Sequence, residues 1–160
     1  MQILVTGGAG YIGSATAEAL LEAGHSVAVY DSLVSGYRQA VPPGARLIQA
    51  DLADAAALAS ALRAGKFDAV MHFAAFIEAG ESMKDPGRFY RNNLIHSLEL
   101  VEAAWQAGVP RFVLSSTAAV YVSSDAPLSE DSPLGPPNVY GHTKLVIEQA
   151  LEGQEDSTQR

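Results

Sequence analysis

Short apolar runs alternate along the chain with stretches whose apolar residues recur at helical spacing. The runs are rich in residues suited to a sheet interior and end at glycine or polar residues, so they predict buried strands over 2–6, 26–30, 46–50, 69–73 and 111–115. Helical spacing and alanine-rich composition predict helices over 11–23, 55–63, 87–107 and 139–151. Strand and helix in alternation indicate parallel strands joined by crossover helices. The predicted fold class is therefore α/β, a Rossmann-like doubly wound parallel sheet of about five strands with helices on both faces.

The same pattern predicts one domain over residues 1–151. Segment 125–137 holds four of the eight prolines and is predicted to be a loop. Residues 152–160 show no apolar periodicity, so we expect a disordered tail there. No internal repeat or linker divides the chain.

Composition and charge narrow the classes of function. A net charge of −8 over 160 residues disfavours binding to nucleic acid or to an anionic membrane, because both need basic surface. The absence of cysteine excludes disulfides and thiol catalysis, and the histidines show no metal-ligand spacing, so we expect no metal. There is no basic leader and no apolar run near the ~20 residues that cross a bilayer, which favours a cytoplasmic protein.

A glycine-rich loop lies between the first predicted strand and the first predicted helix. Gly7, Gly10 and Gly13 follow one another at intervals of three, and Tyr11 and Ile12 begin the helix. Glycines allow a tight turn and a close approach of a pyrophosphate, and the helix start offers free N–H groups with a partial positive charge. A glycine triplet alone is weak, but its position at a strand-to-helix junction predicts dinucleotide binding.

Acidic residues follow the second and third predicted strands. Asp31 is placed to accept hydrogen bonds from the ribose 2′-OH of an adenosine, which favours NAD over NADP; alternatively, it is a turn residue or a helix cap. Asp51 and Leu52 would lie near the adenine, although an aspartate at a strand end often only starts a turn.

The ends of the fourth and fifth predicted strands point towards the same crevice as the glycine loop. Phe73, Ala74 and Ala75 are small or apolar enough to line a cofactor groove, whereas His72 is expected to be packed and hydrogen-bonded. The run from Ser115 to Tyr121 supplies hydroxyl groups at the end of the fifth strand, although such clusters often only cap local backbone.

Tyr140 and Lys144 lie four residues apart in the last predicted helix and therefore share a face. A neighbouring ammonium favours the phenolate and lowers the tyrosine pKa from its ordinary value near 10, so the pair can move a proton on and off a hydroxyl. Alone, the spacing could equally mark two unrelated surface residues. A hydroxyl in the 115–121 run that bridges Tyr140 and a substrate would make the pair functional.

Taken together, these residues resemble the extended short-chain dehydrogenase/reductase family. Within it, the chain is most similar to the epimerases that interconvert UDP-glucose and UDP-galactose. The resemblance covers residues 1–151. The matching segments are TGGAGYIG (6–13), Asp31, Asp51-Leu52, HFAA (72–75), GES (80–82), FYRNN (89–93), SSTAAVY (115–121) and YGHTK (140–144).

The resemblance implies NAD as cofactor, a UDP-sugar as substrate and epimerisation at C4 through a 4-keto intermediate. Tyr140 takes the proton from the sugar 4-OH while hydride passes to NAD. Lys144 binds the nicotinamide ribose and depresses the pKa of Tyr140, and Thr117 supplies the assisting hydroxyl. Ser115 and Asn93 join the cofactor-binding residues, and Asn93 also supports the active-site end of its helix.

Two rival interpretations stay open. A sugar-nucleotide 4,6-dehydratase shares the cofactor and the Tyr/Lys pair, but such enzymes carry an Asp-Glu pair after the threonine, where this chain has Ala118 and Ala119. The chain could also be a non-catalytic NAD-binding or dimerisation fragment, because members of the family are about twice as long.

The short length leads to three further expectations. We expect no sixth strand and no substrate domain, which leaves apolar surface exposed on strand five and on the last helix. The resemblance also implies a homodimer through helices 87–107 and 139–151.

Overall fold

Five parallel strands form a single sheet in the order β3-β2-β1-β4-β5. Their bounds are β1 Gln2–Thr6, β2 Ser26–Asp31, β3 Arg46–Gln49, β4 Ala69–His72 and β5 Phe112–Leu114. The computed structural model describes residues 1–158, and the side-chain surroundings of residues 1–153. All five predicted strands are present within one residue at each end, which confirms the predicted parallel sheet.

Six α-helices connect and follow the strands. Their bounds are α1 Tyr11–Glu22, α2 Ala55–Gly65, α3 Ala79–Lys84, α4 Pro86–Phe89, α5 His96–Gln106 and α6 Val139–Thr158. A π-helical segment, Tyr90–Ile95, joins α4 to α5, and short 3₁₀ turns occupy Arg38–Ala40 and Ala118–Val120. No helix in the described part of the chain is long and apolar enough to cross a membrane.

The chain divides into two compact units. Unit 1 comprises Met1–Ala75 and Glu99–Ser115, and unit 2 comprises Phe76–Leu98 and Ser116–Arg160. The whole sheet with α1 and α2 belongs to unit 1, whereas α3, α4, the π segment and α6 belong to unit 2.

The strands of unit 1 have an apolar core on each face because successive side chains of a strand point to opposite sides. On one face, Leu4 packs in a cluster with Leu58 of α2 and Leu100 of α5. On the other face, Val5 packs in a cluster with Ala17 of α1. Helices therefore cover both faces of the sheet, as the doubly wound prediction required.

The predicted helix over 87–107 is three consecutive segments rather than one. It begins at Pro86, where the Asp85 carboxylate accepts the backbone N–H of Arg88, and it changes to π-helical geometry over Tyr90–Ile95 before α5. The apolar spacing predicted one continuous helix and did not indicate the π turn, which adds one residue to a helical turn. Helix α3 is an addition that the sequence analysis did not predict.

The last helix extends beyond its predicted end. The sequence predicted an end near residue 151, and the structure carries α6 to Thr158. No proline follows Val139 to stop the helix, and the glutamate and glutamine residues after residue 151 are good helix formers. Of the tail predicted over 152–160, Gln159 and Arg160 lie outside the described residues.

Strand β5 lies at one edge of the sheet and exposes Val113 by 49%. The prediction of exposed apolar surface on strand five is therefore confirmed. In the last helix over 139–153, the stretch whose side chains are described, Leu145, Val146 and Leu151 are half-buried and no large apolar side chain is fully exposed, so less apolar surface is exposed there than expected.

Candidate functional site

The glycine loop of unit 1 is built without room for side chains. Gly7 has a φ of +71°, and a Cβ atom on it would lie 2.5 Å from the backbone nitrogen of Ala74. A Cβ on Gly13 would lie 2.3 Å from the carbonyl oxygen of Gly7. The first turn of α1 and the residues after β4 therefore close against Gly7, and any larger residue would force the loop open. This places Phe73 and Ala74 beside the loop, as predicted.

The amino terminus of α1 is uncapped. Gly10 occupies the N-cap position and has no side chain to accept a hydrogen bond, so the first-turn N–H groups of Tyr11 and Ile12 lack a cap. Both side chains are exposed, Tyr11 by 93%. An uncapped helix start next to a glycine cradle fits the diphosphate of a dinucleotide, because its N–H groups and partial positive charge face that position.

Asp31 holds the glycine loop as well as ending β2. One carboxylate oxygen accepts the backbone N–H of Ala9 at 2.9 Å, and the other accepts the N–H of Leu33 at 2.8 Å. Each oxygen keeps a further lone pair, so hydrogen bonds from a ribose remain available to it. The sequence indicated the ribose role and the turn, but it missed the bond to Ala9, because that bond joins residues 22 apart.

The other candidate residues of unit 1 make hydrogen bonds or packing contacts that stabilise the fold. One carboxylate oxygen of Asp51 accepts the N–H of Ala53, which is the turn considered as its alternative, and Leu52 is partly buried against the core. His72 is fully buried with its Nδ1 atom 2.6 Å from the Thr6 hydroxyl, which confirms that it is packed and hydrogen-bonded. Ser115 donates its backbone N–H to the carbonyl of His72.

Tyr140, Lys144 and Thr117 all lie in unit 2. Tyr140 and Lys144 lie one turn apart on α6, and a side-chain hydrogen bond joins Tyr140 to Thr117. The Thr117 hydroxyl oxygen also accepts the N–H of Ala119, which begins the 3₁₀ turn. Lys144 is 2% exposed. The positions of Tyr140 and Lys144 one turn apart on α6 agree with the predicted helix, and their roles stay predictions.

The pKa of Tyr140 differs from the expectation. Burial raises the pKa of Tyr140 above its usual value, and the hydrogen bond with Thr117 only partly opposes it. Burial lowers the pKa of Lys144 to about 8, with Glu148 acting in the opposite direction. The predicted lowering of the Tyr140 pKa is therefore not seen in this chain by itself, because desolvation of the phenolate outweighs the nearby hydroxyl.

Ser116 has a buried hydroxyl oxygen for which the described residues offer no hydrogen-bond partner. A buried hydroxyl is normally satisfied, so an orphaned one next to Thr117 marks a position open to a ligand or to water. The sequence included this serine in the run of hydroxyl residues but gave it no role.

Asn93 lies in the π segment and is fully buried. Its side-chain oxygen accepts the N–H of Phe76 at 2.9 Å, and its side-chain nitrogen donates to the Phe76 carbonyl at 2.8 Å. The Phe76 ring packs edge-on against Phe89 at 5.8 Å. Asn93 therefore clamps a backbone segment, which is a more specific role than the predicted support of a helix end.

Two residues that the sequence analysis did not select hold the start of α6. The Ser82 hydroxyl oxygen accepts the backbone N–H of Tyr140 at 3.1 Å. A Cβ on Gly141 would lie 2.2 Å from the carbonyl oxygen of Ala119, so only glycine lets α6 approach the 3₁₀ turn this closely. The motif GES contained Ser82, but nothing in the spacing connects it with a tyrosine 58 residues later.

A parallel sheet of this strand order, with a glycine cradle between β1 and an uncapped α1, defines a Rossmann-type dinucleotide-binding domain. The chain belongs to the NAD dependent epimerase/dehydratase family, whose model matches residues 3–159. The epimerase resemblance found in the sequence is thereby confirmed.

Relatives named UDP-glucose 4-epimerase match most of the chain. The protein of Corynebacterium glutamicum is 45% identical over 152 residues, which is 94% of this chain and 46% of the relative. The protein of Rhizobium meliloti is 47% identical over 151 residues, with the same two shares. The chain therefore spans about half the length of the relatives it matches.

Solved structures of such enzymes have the same fold. The UDP-glucose 4-epimerase of Thermus thermophilus in complex with NAD superposes with a TM-score of 0.92 at 36% identity, covering 98% of this chain and 51% of that one. The enzyme of Stenotrophomonas maltophila, with bound NAD and formylated UDP-arabinopyranose, gives 0.93 at 37%, covering 99% and 49%. The cofactor of the family is NAD.

Proposed function

We propose that this chain forms the NAD-binding and proton-transfer part of a UDP-sugar 4-epimerase acting on UDP-glucose and UDP-galactose. The observation that carries the proposal is the grouping of Tyr140, Thr117 and buried Lys144 in unit 2. Relatives that share the family are named for this reaction. The alanines after Thr117 disfavour a dehydratase, because they offer no carboxylate for elimination.

The residues of unit 1 fit the cofactor. Gly7, Gly10 and Gly13 leave space for a diphosphate, and the first turn of α1 offers N–H donors to it. Asp31, Asp51 and Leu52 serve the adenosine half. Phe73, Ala74, Ala75 and Ser115 serve the remainder in this proposal, which also assigns Asn93 of unit 2 to the cofactor. A bound NAD would supply the acceptor and donor for the hydride that leaves C4 of the sugar and returns to its opposite face.

The residues of unit 2 move the proton. The Tyr140 phenolate takes the proton of the sugar 4-OH as the 4-keto sugar forms, and the phenol returns it when the alcohol is restored. Thr117 holds the phenol oxygen through its hydroxyl. Because burial keeps the pKa of Tyr140 high, a positive charge must bring it down, and Lys144 is the group that this chain places one turn away.

Isothermal titration tests the cofactor half of the proposal. We expect saturable binding of NAD and much weaker binding of NADP, because the Asp31 carboxylate would repel a 2′-phosphate. Any copurified cofactor has to be removed first. Absence of binding by a well-folded chain would mean that residues 1–160 do not form the cofactor site alone.

A chimera tests the catalytic half. We propose that residues 1–160 alone do not turn over UDP-galactose, because the matched relative has about as many residues outside the match as within it. Joining residues 1–151 to the second half of the Corynebacterium glutamicum relative is expected to give turnover. Tyr140→Phe in the chimera removes the proton-transfer group and is expected to abolish it. Turnover that survives this substitution would reject the role of Tyr140.

The domain boundaries and the assembly belong to the same proposal. We take residues 1–151 as the NAD-binding domain, acting in galactose metabolism in the cytoplasm. A homodimer would use the segments predicted as helices 87–107 and 139–151, and Ile95 in the first of them is 45% exposed. Sedimentation as a clean monomer at micromolar concentration would remove the dimer from the proposal.

A further inference from the structure

The backbone N–H of Tyr140 lies in the first turn of α6, where N–H groups have no partner within the helix. Two of these groups donate a hydrogen bond to a side-chain oxygen. The N–H of Gly141 donates to the side-chain oxygen of Asn138 at 2.8 Å, the local cap of the helix. The N–H of Tyr140 donates to Ser82, which comes from α3.

Ser82 is itself fixed in one orientation. It is fully buried, and its hydroxyl donates to the carbonyl of Ala79 at 2.6 Å. Its backbone N–H donates to the carbonyl of Glu78 at 3.0 Å. Because the hydroxyl proton is committed to Ala79, the oxygen lone pairs are directed elsewhere, and one of them meets Tyr140.

Tyr140 is thus held at both ends. Ser82 fixes its backbone nitrogen, and the Thr117 side chain bonds to its phenol. Thr117 also begins the 3₁₀ turn against which Gly141 packs. A displacement at the nitrogen would therefore shift the Cα and Cβ atoms that carry the ring, and with them the position of the phenol relative to Thr117.

We propose that Ser82 is a positioning residue that fixes the Tyr140 phenol against Thr117 by accepting the Tyr140 N–H. The proposal rests on the assignment of Tyr140 as the proton-transfer group. It gives a function to the GES segment, for which the resemblance supplied none. The cofactor and the sugar take no part in the arrangement, so it can be tested in the chain by itself.

The test compares Ser82→Ala with Asn138→Ala. Each substitution removes one oxygen that accepts an N–H in the first turn of α6, so the general loss of helix capping is matched. We expect hydrogen exchange of the Tyr140 amide to rise at least about tenfold in Ser82→Ala while the Gly141 amide keeps its rate, and the reverse in Asn138→Ala. An unchanged Tyr140 amide in Ser82→Ala would show that the bond is absent.

The phenol itself gives the decisive measurement. The chain has six tyrosines, so the ring Cζ resonance of ¹³C-labelled Tyr140 is assigned with Tyr140→Phe and titrated with pH. In Ser82→Ala we expect this resonance to move and the pKa of Tyr140 to rise further, because the hydrogen bond that lowers it is weakened. In Asn138→Ala we expect both to stay. Equal changes in the two variants, or none in either, would overturn the proposal and leave Ser82 as a helix cap only.

A second variant allows the proposal to be tested if Ser82→Ala does not fold. Ser82→Cys replaces the hydroxyl with a slightly larger thiol that is a weak hydrogen-bond partner, so it should give a shift between those of the native chain and the alanine variant. In the active chimera, Ser82→Ala should lower kcat on the order of tenfold with KM unchanged, because a misplaced proton-transfer group affects the reaction rather than binding. An inactive chimera would count against the proposed function, while the phenol titration would still decide the role of Ser82.

Discussion

In the glycine loop, the space left by neighbouring backbone atoms determines which residue a position can hold. A Cβ on Gly13 would lie 2.3 Å from the Gly7 carbonyl oxygen and 2.9 Å from its carbon, both backbone atoms that cannot rotate away. We expect Gly13→Ala to lower the free energy of unfolding by about 1–3 kcal/mol, as overpacking does, and to weaken NAD binding. Thermal unfolding and calorimetric titration with NAD measure the two effects.

Gly80 provides the matched control for this substitution. It lies in helix α3, and a Cβ on it would meet nothing within 4 Å. Gly80→Ala should therefore leave NAD binding unchanged and hold or raise the stability, because alanine favours a helix by up to about 1 kcal/mol. If the two alanine variants lost NAD affinity equally, the loop geometry would not be the reason.

Lys144 should give the chain a measurable pH dependence of stability. Its pKa is lowered to about 8 in the folded chain, whereas the ordinary value is 10.5. Between these values the unfolded chain binds the proton and the folded chain does not, so stability rises as the pH rises through this window. At neutral pH both states are protonated, and the full desolvation cost, on the order of 3 kcal/mol, opposes folding.

Lys144→Met removes this contribution and isolates it. We expect the unfolding free energy of the variant minus that of the native chain to be largest at pH 7 and to shrink steadily from pH 8 towards pH 10. Urea unfolding of both proteins at each pH measures the difference, in which the titration of every other group cancels. A difference independent of pH would mean that the pKa of Lys144 is not lowered.

The sequence predicted candidate residues for the site but not how they are held. Glycine at 7 and 13 and the Tyr140–Lys144 spacing are local patterns, and the structure places them as predicted. The bonds from Asp31 to Ala9 and from Ser82 to Tyr140 join residues 22 and 58 apart. Such bonds depend on how elements pack, and no periodicity along a single sequence encodes them.

At the scale of elements, the strands were the most predictable part. The central strands β1, β2 and β4 are short apolar runs buried on both faces, as is typical of parallel sheets, whereas the edge strands β3 and β5 are only partly buried. Helix interruptions were less predictable. The π segment Tyr90–Ile95 interrupts an otherwise helical stretch, and its geometry is associated with the clamp that Asn93 forms on Phe76.

Removing this clamp should destabilise the chain. Asn93→Ala leaves the N–H and the carbonyl of Phe76 without their partner, and each orphaned group costs about 1–3 kcal/mol when buried. We expect a loss of about 2 kcal/mol or more in urea unfolding, with faster hydrogen exchange of the Phe76 amide. Asn92→Ala is the control, because Asn92 bonds to the Asn93 side chain and not to Phe76. Equal losses in the two variants would argue against the clamp.

At the scale of the whole molecule, the sheet edge sets a risk of self-association. Strand β5 pairs with β4 on one side only within the described residues, and Val113 on it is 49% exposed. An open strand edge with an apolar side chain is a template for pairing with another chain, and a lysine there is the usual protection. We therefore expect Val113→Lys to reduce concentration-dependent association in sedimentation velocity while changing the unfolding free energy by less than about 0.5 kcal/mol.

Val34→Lys separates the edge effect from a general effect of charge. Val34 is more exposed, at 70%, and lies in the loop after β2 rather than on a strand. Both variants change the net charge from −8 to −7 and remove one exposed valine. If the edge of β5 directs association, only Val113→Lys shifts the sedimentation coefficient towards that of the monomer. If the two variants shift it equally, charge repulsion and the loss of an exposed valine explain the reduced association. The open edge of β5 then does not direct association.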